Sequence, residues 1–459
     1  MMSDGGNLPT KAGTDSVAAS PHLRRVLNLR DLLIYGMIIV QVLSPVPIFG
    51  LLDERSNGNS VGSALIAMIP MLLTAISYGR LAVVFPVAGS SYSYVSRALN
   101  PHLGFLIGWA IFLDYLMNQV ICAIIPALAI QRVFPAAPLP LLTFLVIVCM
   151  TGVNLFGIRV TLRANTWLLI LASAAVLLFL GLAIRYLSLS NGGFSKAFAL
   201  APIYDPAVFR ARDLLAGVSL AALTYIGFDG LTTLAEDAIN PKRDMVRATV
   251  LIVIITGLLS ALELYFLHSV LPDWRSADPN TSYLDVMLKI GGAALFSSFL
   301  VIMSLSQFAA GLSIQVGAAR LLYGMGRDGV LPRSAFGYID PRRHHPSRNI
   351  VFMGVLAFLG TVAISFDHAL DLLNFGAFLA YIGVNAAAMW TFGVRPSREH
   401  KRRVVSDLLF PAGGLVGCLI FWFGLPERAK IVGGLWLLVG FGYCAYRTRG
   451  FRQSIALDL

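Results

Sequence analysis

The sequence predicts an all-α polytopic membrane protein of about twelve transmembrane helices. Three observations carry that expectation. Hydrophobic residues make up 57% of the 459-residue chain and charged residues only 13%, roughly half the ~25% charge of an average soluble domain. Mean hydropathy is +0.75. The apolar residues also fall in runs of about 20 or more, the length that crosses a hydrocarbon core ~30 Å thick. So little charge cannot cover a soluble surface of this size, which excludes a cytosolic enzyme, a secreted disulfide scaffold and a disordered chain. The ~10-residue alternating segments of a transmembrane barrel are absent.

The chain opens on a polar tail, 1–31, rich in Gly and Ser and ending in Arg24, Arg25 and Arg30, with no cleavable leader expected. The first span, 32–52, carries Pro45 and Pro47; the second covers 62–83. The third, 103–131, holds Asp114, Asn118 and Gln119 at membrane depth. The fourth and fifth cover 138–157 and 164–187. The sixth, 212–236, contains Gly227, Asp229 and Gly230, and the seventh, 246–270, contains Glu263 and His268. The eighth, 293–323, carries Ser304, Ser306 and Gln307. The last four cover 349–365, 369–393, 407–425 and 430–446, followed by a basic tail, 447–459. Twelve spans of ~21 residues use roughly 250 positions, so the remainder suffices only for loops and tails. Cys122, Cys149, Cys418 and Cys444 all lie inside apolar runs and read as small packing residues.

The net charge of +11 is sorted by side. The tails and even-numbered loops hold 23 Lys and Arg against 10 in the odd-numbered loops. Arg80 and Arg320 sit at the inward ends of their helices. The positive-inside rule therefore places both termini in the cytoplasm, as an even number of spans requires. The basic excess orients the protein in its bilayer, and no nucleic-acid partner is expected.

Two spans are interrupted. In the first, Ser44-Pro45-Val46-Pro47 removes two backbone donors within three residues. In the sixth, Gly227 and Gly230 bracket Asp229, where unwinding costs least. These spans begin about 180 residues apart, each opening a five-helix half. Interrupted helices at corresponding positions of two halves point to a carrier's binding site, because unwound backbone persists in a membrane only where protein or a cavity surrounds it. Free N–H groups after each break suit a carboxylate, and free carbonyls before it suit an ammonium or a cation. An amino acid or an amine is the natural guest. The competing reading is a pair of kinks with no ligand.

Several segments then become recognisable. Phe85-Pro86-Val87-Ala88-Gly89-Ser90-Ser91-Tyr92, with Asn100-Pro101-His102-Leu103-Gly104-Phe105, resembles the loop before helix 3 of amino acid/polyamine/organocation (APC) superfamily permeases. Gly227-Phe228-Asp229-Gly230, running to Glu236-Asp237 and Asn240-Pro241-Lys242-Arg243, is similar to the family's helix 6. Gly326-Arg327-Asp328-Gly329 matches the loop after helix 8, and Asn374-Phe375-Gly376-Ala377 the start of helix 10. Phe336-Gly337-Tyr338 and Leu113-Asp114-Tyr115-Leu116 lean toward putrescine-importer-like members. The resemblance implies a LeuT-type 5+5 inverted repeat with broken helices 1 and 6. It divides the chain into a transport core over 32–393 (repeats about 32–187 and 212–393) and peripheral helices 11–12 over 394–446. It also implies import of an amino acid or polyamine across the inner membrane, usually proton-driven. Two departures stand out: the first break is Pro-rich rather than Gly-rich, and no lysine lies between Lys11 and Lys196, where some relatives place one in helix 5.

Asp229 is the first candidate residue. A charge at mid-bilayer costs at least ~2.5–3.5 kcal/mol and so needs a partner or a task. It would pair with a substrate ammonium or take up the coupling proton; alternatively it caps the adjacent half-helix. Gln41, Ser44, Pro45 and Gly227 border the breaks. Asp114 is a second acid for the same cavity, or a structural one. Tyr225, Phe228, Phe375 and Tyr381 are candidate aromatic lids able to stack on an ammonium, or plain packing. Glu236 is a candidate inner gate. Glu263 is a candidate relay with His268, although a five-residue offset does not put the two on one face; a satisfied polar pair is the plainer reading. No cofactor, metal site or enzyme constellation is expected: there is no Walker A loop, and His344-His345 lacks companion ligands. An uncoupled exchanger or facilitator shares every one of these sequence features.

Overall fold

The computed structural model describes residues 27–85, 90–156, 159–190, 202–204, 206, 209–235, 238–341, 345–395, 403–453 and 455. Glu236 and Asp237, His344, residues 86–89 of the helix-3 loop and most of both tails lie outside them.

The first span is split. Helix α1 (Leu29–Val40) starts in a capping box in which Asn28 accepts from the amides of Arg30 and Asp31, and Asp31 accepts from Asn28. It stops at Val40 for a steric reason. Pro45 and Pro47 cannot donate to, and would clash with, the carbonyls of Gln41 and Leu43. Gln41 turns the chain with φ +64°, a conformation that costs a non-glycine residue about 1–3 kcal/mol and clusters at functional sites. A short 3-10 turn (Val46–Ile48) and α2 (Phe49–Ser56) complete the crossing.

There follow α3 (Ser60–Val84), a short α4 (Ser90–Ala98) inside the expected loop, α5 (Pro101–Val133), α6 (Leu139–Phe156) and α7 (Arg159–Ser190). The sixth span is α8 (Ala211–Ala221) running into two 3-10 segments, Ala222–Tyr225 and Phe228–Leu234. They are joined by extended Ile226 and by Gly227 at φ +118°, a backbone that favours glycine. Then come α9 (Pro241–Val270), α10 (Ser282–Arg327), α11 (Arg333–Phe336), α12 (Ser347–Ala363), α13 (Phe366–Ala388), α14 (Phe410–Gly424) and α15 (Glu427–Arg447). Single wide turns, Met389–Val394 and Val405–Leu409, extend α13 and precede α14. Helix α10 is 46 residues long but bends at Gly292 (φ +63°).

Among the described residues, ten helices are long and apolar enough to cross a membrane; α12 is shorter at 17 residues, and the split first span makes the twelfth crossing. Every expected span has its helix. Helices α5 and α13 are the most enclosed. Around them α3 packs on α9, where Thr249 donates to the carbonyl of Ala75 at 3.0 Å and Gly79 lets Val246 approach. Gly36 gives α1 its close approach to Ile252 of α9. Buried amides knit the helices, as expected without a hydrophobic drive between them. Asn385 of α13 accepts from Ser77 at 2.7 Å and donates to Thr74 at 2.9 Å, both on α3. Helices α6 and α15 are mostly exposed, and their outward faces carry Phe144, Leu145, Val148, Leu435 and Leu438. All four cysteines are free thiols.

Candidate substrate-binding site

The two interruptions face each other. Ser44, in the first, donates to the carbonyl of Thr224, just before the second, at 3.3 Å. Gly227 packs against Ile39. The carbonyls freed before each break are thus within reach of one another, as a shared cation or ammonium site requires.

A cavity opens beside this meeting point. Its polar wall is Gln41, Ser44, Asn118 and Gln307, and its apolar wall includes Pro47, Ile121 and Ile226. Its volume is about 50 Å³, small beside the ~300–1,000 Å³ of typical ligand pockets.

Asp229 lies past the second break and is buried. Its carboxylate accepts from the amide of Gly227 (3.3 Å) and the hydroxyl of Tyr381 (3.5 Å). Its backbone carbonyl accepts from Thr232 at 2.6 Å. Of the two readings offered for Asp229, the cap is visible in this geometry: the carboxylate holds the amide of Gly227 in the unwound segment, and Asp229 does not line the cavity. Asp114 of α5 is buried with one carboxyl oxygen unpartnered, close enough to Asp229 for the charges to interact. Among the described residues neither acid forms an ion pair.

An aromatic cluster closes over Asp229. The rings of Tyr78, Phe228 and Tyr381 lie 5.4–5.7 Å apart, Tyr78 edge-on to the other two. Tyr78, on α3, also shares a 2.6 Å hydrogen bond with Ser91 of α4. Nothing in the local sequence of α3 marked Tyr78. Asn118 and Gln307 were visible as polar residues in apolar spans, but not as cavity lining.

Several expected site residues sit elsewhere. Tyr225 donates to the carbonyl of Ala64 on α3 at 2.7 Å and does not line the cavity. Tyr225→Phe is expected to lower stability by about 1 kcal/mol while leaving the substrate affinity unchanged; a thermal melt paired with a binding titration checks this. Phe375 faces the periphery, 5.5 Å from the ring of Trp422 on α14 and against Gly433 of α15. Pro45 is buried and shapes the break without lining the cavity, whereas Pro47 lines it. Glu263 is fully buried, and among the described residues neither of its carboxyl oxygens has a hydrogen-bond partner. His268 pairs instead with Asp53 of α2 at 2.6 Å.

Latches close both ends of the bundle. At the end carrying α2, Arg55 forms a two-pronged pair with Asp371 of α13. Arg132 of α5 reaches Thr281 and Asp285. At the other end, the amide of Ile239 donates to the carbonyl of Leu27 at 2.9 Å, tying the start of the first span to the residues after the second break. Arg80, read from sequence as an orientation anchor, is also a tie: it lies over the ring of Phe392 and pairs with Asp407 at 2.6 Å.

Residues 57–442 match the model of the amino acid permease family. The chain belongs to that family. Its relatives span it almost end to end. It is 30% identical over 437 residues to the low-affinity putrescine importer PlaP of Escherichia coli (strain K12), covering 94% of this chain and 96% of that protein. It is 25% identical over 463 residues to the branched-chain amino acid permease BcaP of Lactococcus lactis subsp. cremoris, covering 94% and 96%. The putrescine-importer-like leaning of the sequence motifs thus agrees with its relatives. This permease is a multi-pass membrane transporter, not an enzyme, and the paired helix breaks are the unusual backbone in its core.

Proposed function

We propose that the protein imports a small organic amine, a polyamine such as putrescine or an amino acid, across the inner membrane, coupled to protons, by alternating access. The observation that carries this reading is Asp229, a buried acid without an ion-pair partner among the described residues, set where two unwound helices meet. A carboxylate in that position is completed by a substrate ammonium, and Tyr381 and Phe228 supply faces for it. Asp114 beside it favours a second positive charge, and hence a diamine over a zwitterion. The similarity to a putrescine importer supports the same choice, while the similarity to a branched-chain permease supports the amino acid.

In this reading the helices form two five-helix inverted repeats, about 32–187 and 212–393, with the last two helices (394–446) peripheral and both tails (1–31 and 447–459) cytoplasmic. The bundle of spans 1, 2, 6 and 7 rocks against the remainder. The Arg55–Asp371 latch then belongs to the outer gate. The Tyr78–Phe228–Tyr381 cluster and the Leu27–Ile239 tie belong to the inner one, with Glu236, three residues before Ile239 in the sequence, assigned to it as well.

The test is a thermal-shift and uptake screen of purified, reconstituted protein against putrescine, cadaverine and the standard amino acids. Putrescine is expected to stabilise and to be carried. Transport of a neutral amino acid with no response to either diamine would reverse the order of the two substrate classes. No uptake of any amine would overturn the reading.

A further inference from the structure

Glu263 has no role in the site described above, yet its place is specific. It lies on α9, which runs beside the first span in the same direction. Ile252 meets Gly36, Thr256 reaches the sulfur of Met37 at 4.0 Å, and His268 meets Asp53. Glu263 stands seven residues beyond Thr256, about 10 Å along the axis, and turned only ~20° from it. It is five residues, about 7–8 Å, short of His268. It therefore shares the stripe of α9 that faces the first span, at the level of the 3-10 turn Val46–Ile48, which packs against α9. Pro47 and Ile48 of that turn line the cavity. By this register the turn Val46–Ile48 lies between the level of Glu263 and the cavity.

The surroundings fix its charge state. Glu263 is completely enclosed, neither carboxyl oxygen has a donor, and no charged group among the described residues acts on it. The neighbouring titratable groups are engaged elsewhere. His268 is turned ~140° away on the same helix and held by Asp53. Arg55 of α2 is held by Asp371, and Lys289 of α10 donates to the carbonyl of Val270. The hydroxyl of Tyr225 is spent on Ala64. A carboxylate enclosed by protein with no protein donor costs several kcal/mol or more, and such a group avoids that cost by binding a proton. In this closed form Glu263 is therefore a neutral acid. A widening of the break that moves Val46–Ile48 would admit water, and a hydrated carboxyl can release that proton.

We propose that Glu263 is the proton carrier of the transport cycle, loaded while the turn Val46–Ile48 shields it and discharged when the break opens. Asp229 stays charged and holds the amine. The chemistry is one proton added to and removed from one carboxylate, with protons from the aqueous phases on the two sides. The inference rests on the transport reading above and assigns its coupling group.

The experiment uses full-length protein in proteoliposomes, measuring putrescine accumulation driven by an inward proton gradient, proton flux with a pH dye, and substrate counterflow without a gradient. Glu263→Gln is expected to lose gradient-driven accumulation and amine-dependent proton flux, and to flatten the pH dependence, while keeping wild-type counterflow. Glu263→Met, apolar and similar in length, should behave the same way if Gln fails to fold. Glu263→Asp should restore part of the proton flux. Unchanged accumulation and proton flux in a folded Glu263→Gln or Glu263→Met protein would overturn the assignment. So would loss of counterflow together with accumulation, which marks a structural role. Absence of amine counterflow in the wild type would instead overturn the transport reading itself.

Discussion

Replacing Asp229 by Asn should sharply reduce amine uptake while the protein still folds. The two halves of that result have separate causes. The Asn side-chain oxygen still accepts from the amide of Gly227 and the hydroxyl of Tyr381, which meet the same carboxylate oxygen in the native protein, so the unwound segment keeps its cap. The charge is what disappears. A hydrogen bond to a charged partner is worth about 1.5–3 kcal/mol, which at ~1.4 kcal/mol per decade predicts about a 10- to 100-fold loss of affinity. Uptake at substrate levels near the native affinity then falls about 5- to 50-fold. A melting curve, a putrescine titration and an uptake assay on the same preparation decide the matter. Native affinity in the Asn variant would remove Asp229 from the binding site.

The second large effect is expected at Arg55. Arg55→Gln leaves Asp371 buried, with 2% of its side chain exposed and its two-pronged partner gone. Removing one member of a buried pair costs about 3–5 kcal/mol, because the remaining charge is stranded. The protein can recover that energy by opening the end of the bundle that carries α2 and hydrating Asp371. Two outcomes therefore go together: a lower melting temperature, and faster labelling of a cysteine at Leu373, a cavity residue on α13, by a membrane-impermeant maleimide. The double variant Arg55→Gln with Asp371→Asn should recover most of the stability, since no stranded charge remains. Unchanged melting and labelling in the single variant would show that the latch does not hold the cavity closed.

These two sites illustrate what the sequence makes legible and what it hides. Span positions follow from length and lack of charge, so each expected span has its helix. The breaks were legible because their causes are local: the rings of Pro45 and Pro47 in one, and the positive φ of Gly227 in the other. Rotation about the helix axis was not legible. A helix that is apolar on every side carries no phase signal. Tyr225 and Phe375 were therefore placed at the cavity although one serves α3 and the other α14. The same ambiguity hid Tyr78, and it left Asn118 and Gln307 as polar residues without an address. Ion pairs between distant segments, such as Arg80 with Asp407, are a third gap. Each charge is visible in the sequence, but their meeting depends on how the helices pack.

Trp109 of α5 and Trp436 of α15 exchange hydrogen bonds, each indole N–H donating to the other's backbone carbonyl at 2.9 and 3.0 Å. Their rings stack with centroids 4.6 Å apart and planes 12° apart. Because each ring depends on the other helix for its N–H partner, the two separate together or not at all. Stacked indoles at that distance couple their electronic transitions, so the pair is a built-in optical gauge. Its near-ultraviolet circular dichroism reports, without any label, whether the last helix travels with the core or stays behind in the lipid during the transport cycle.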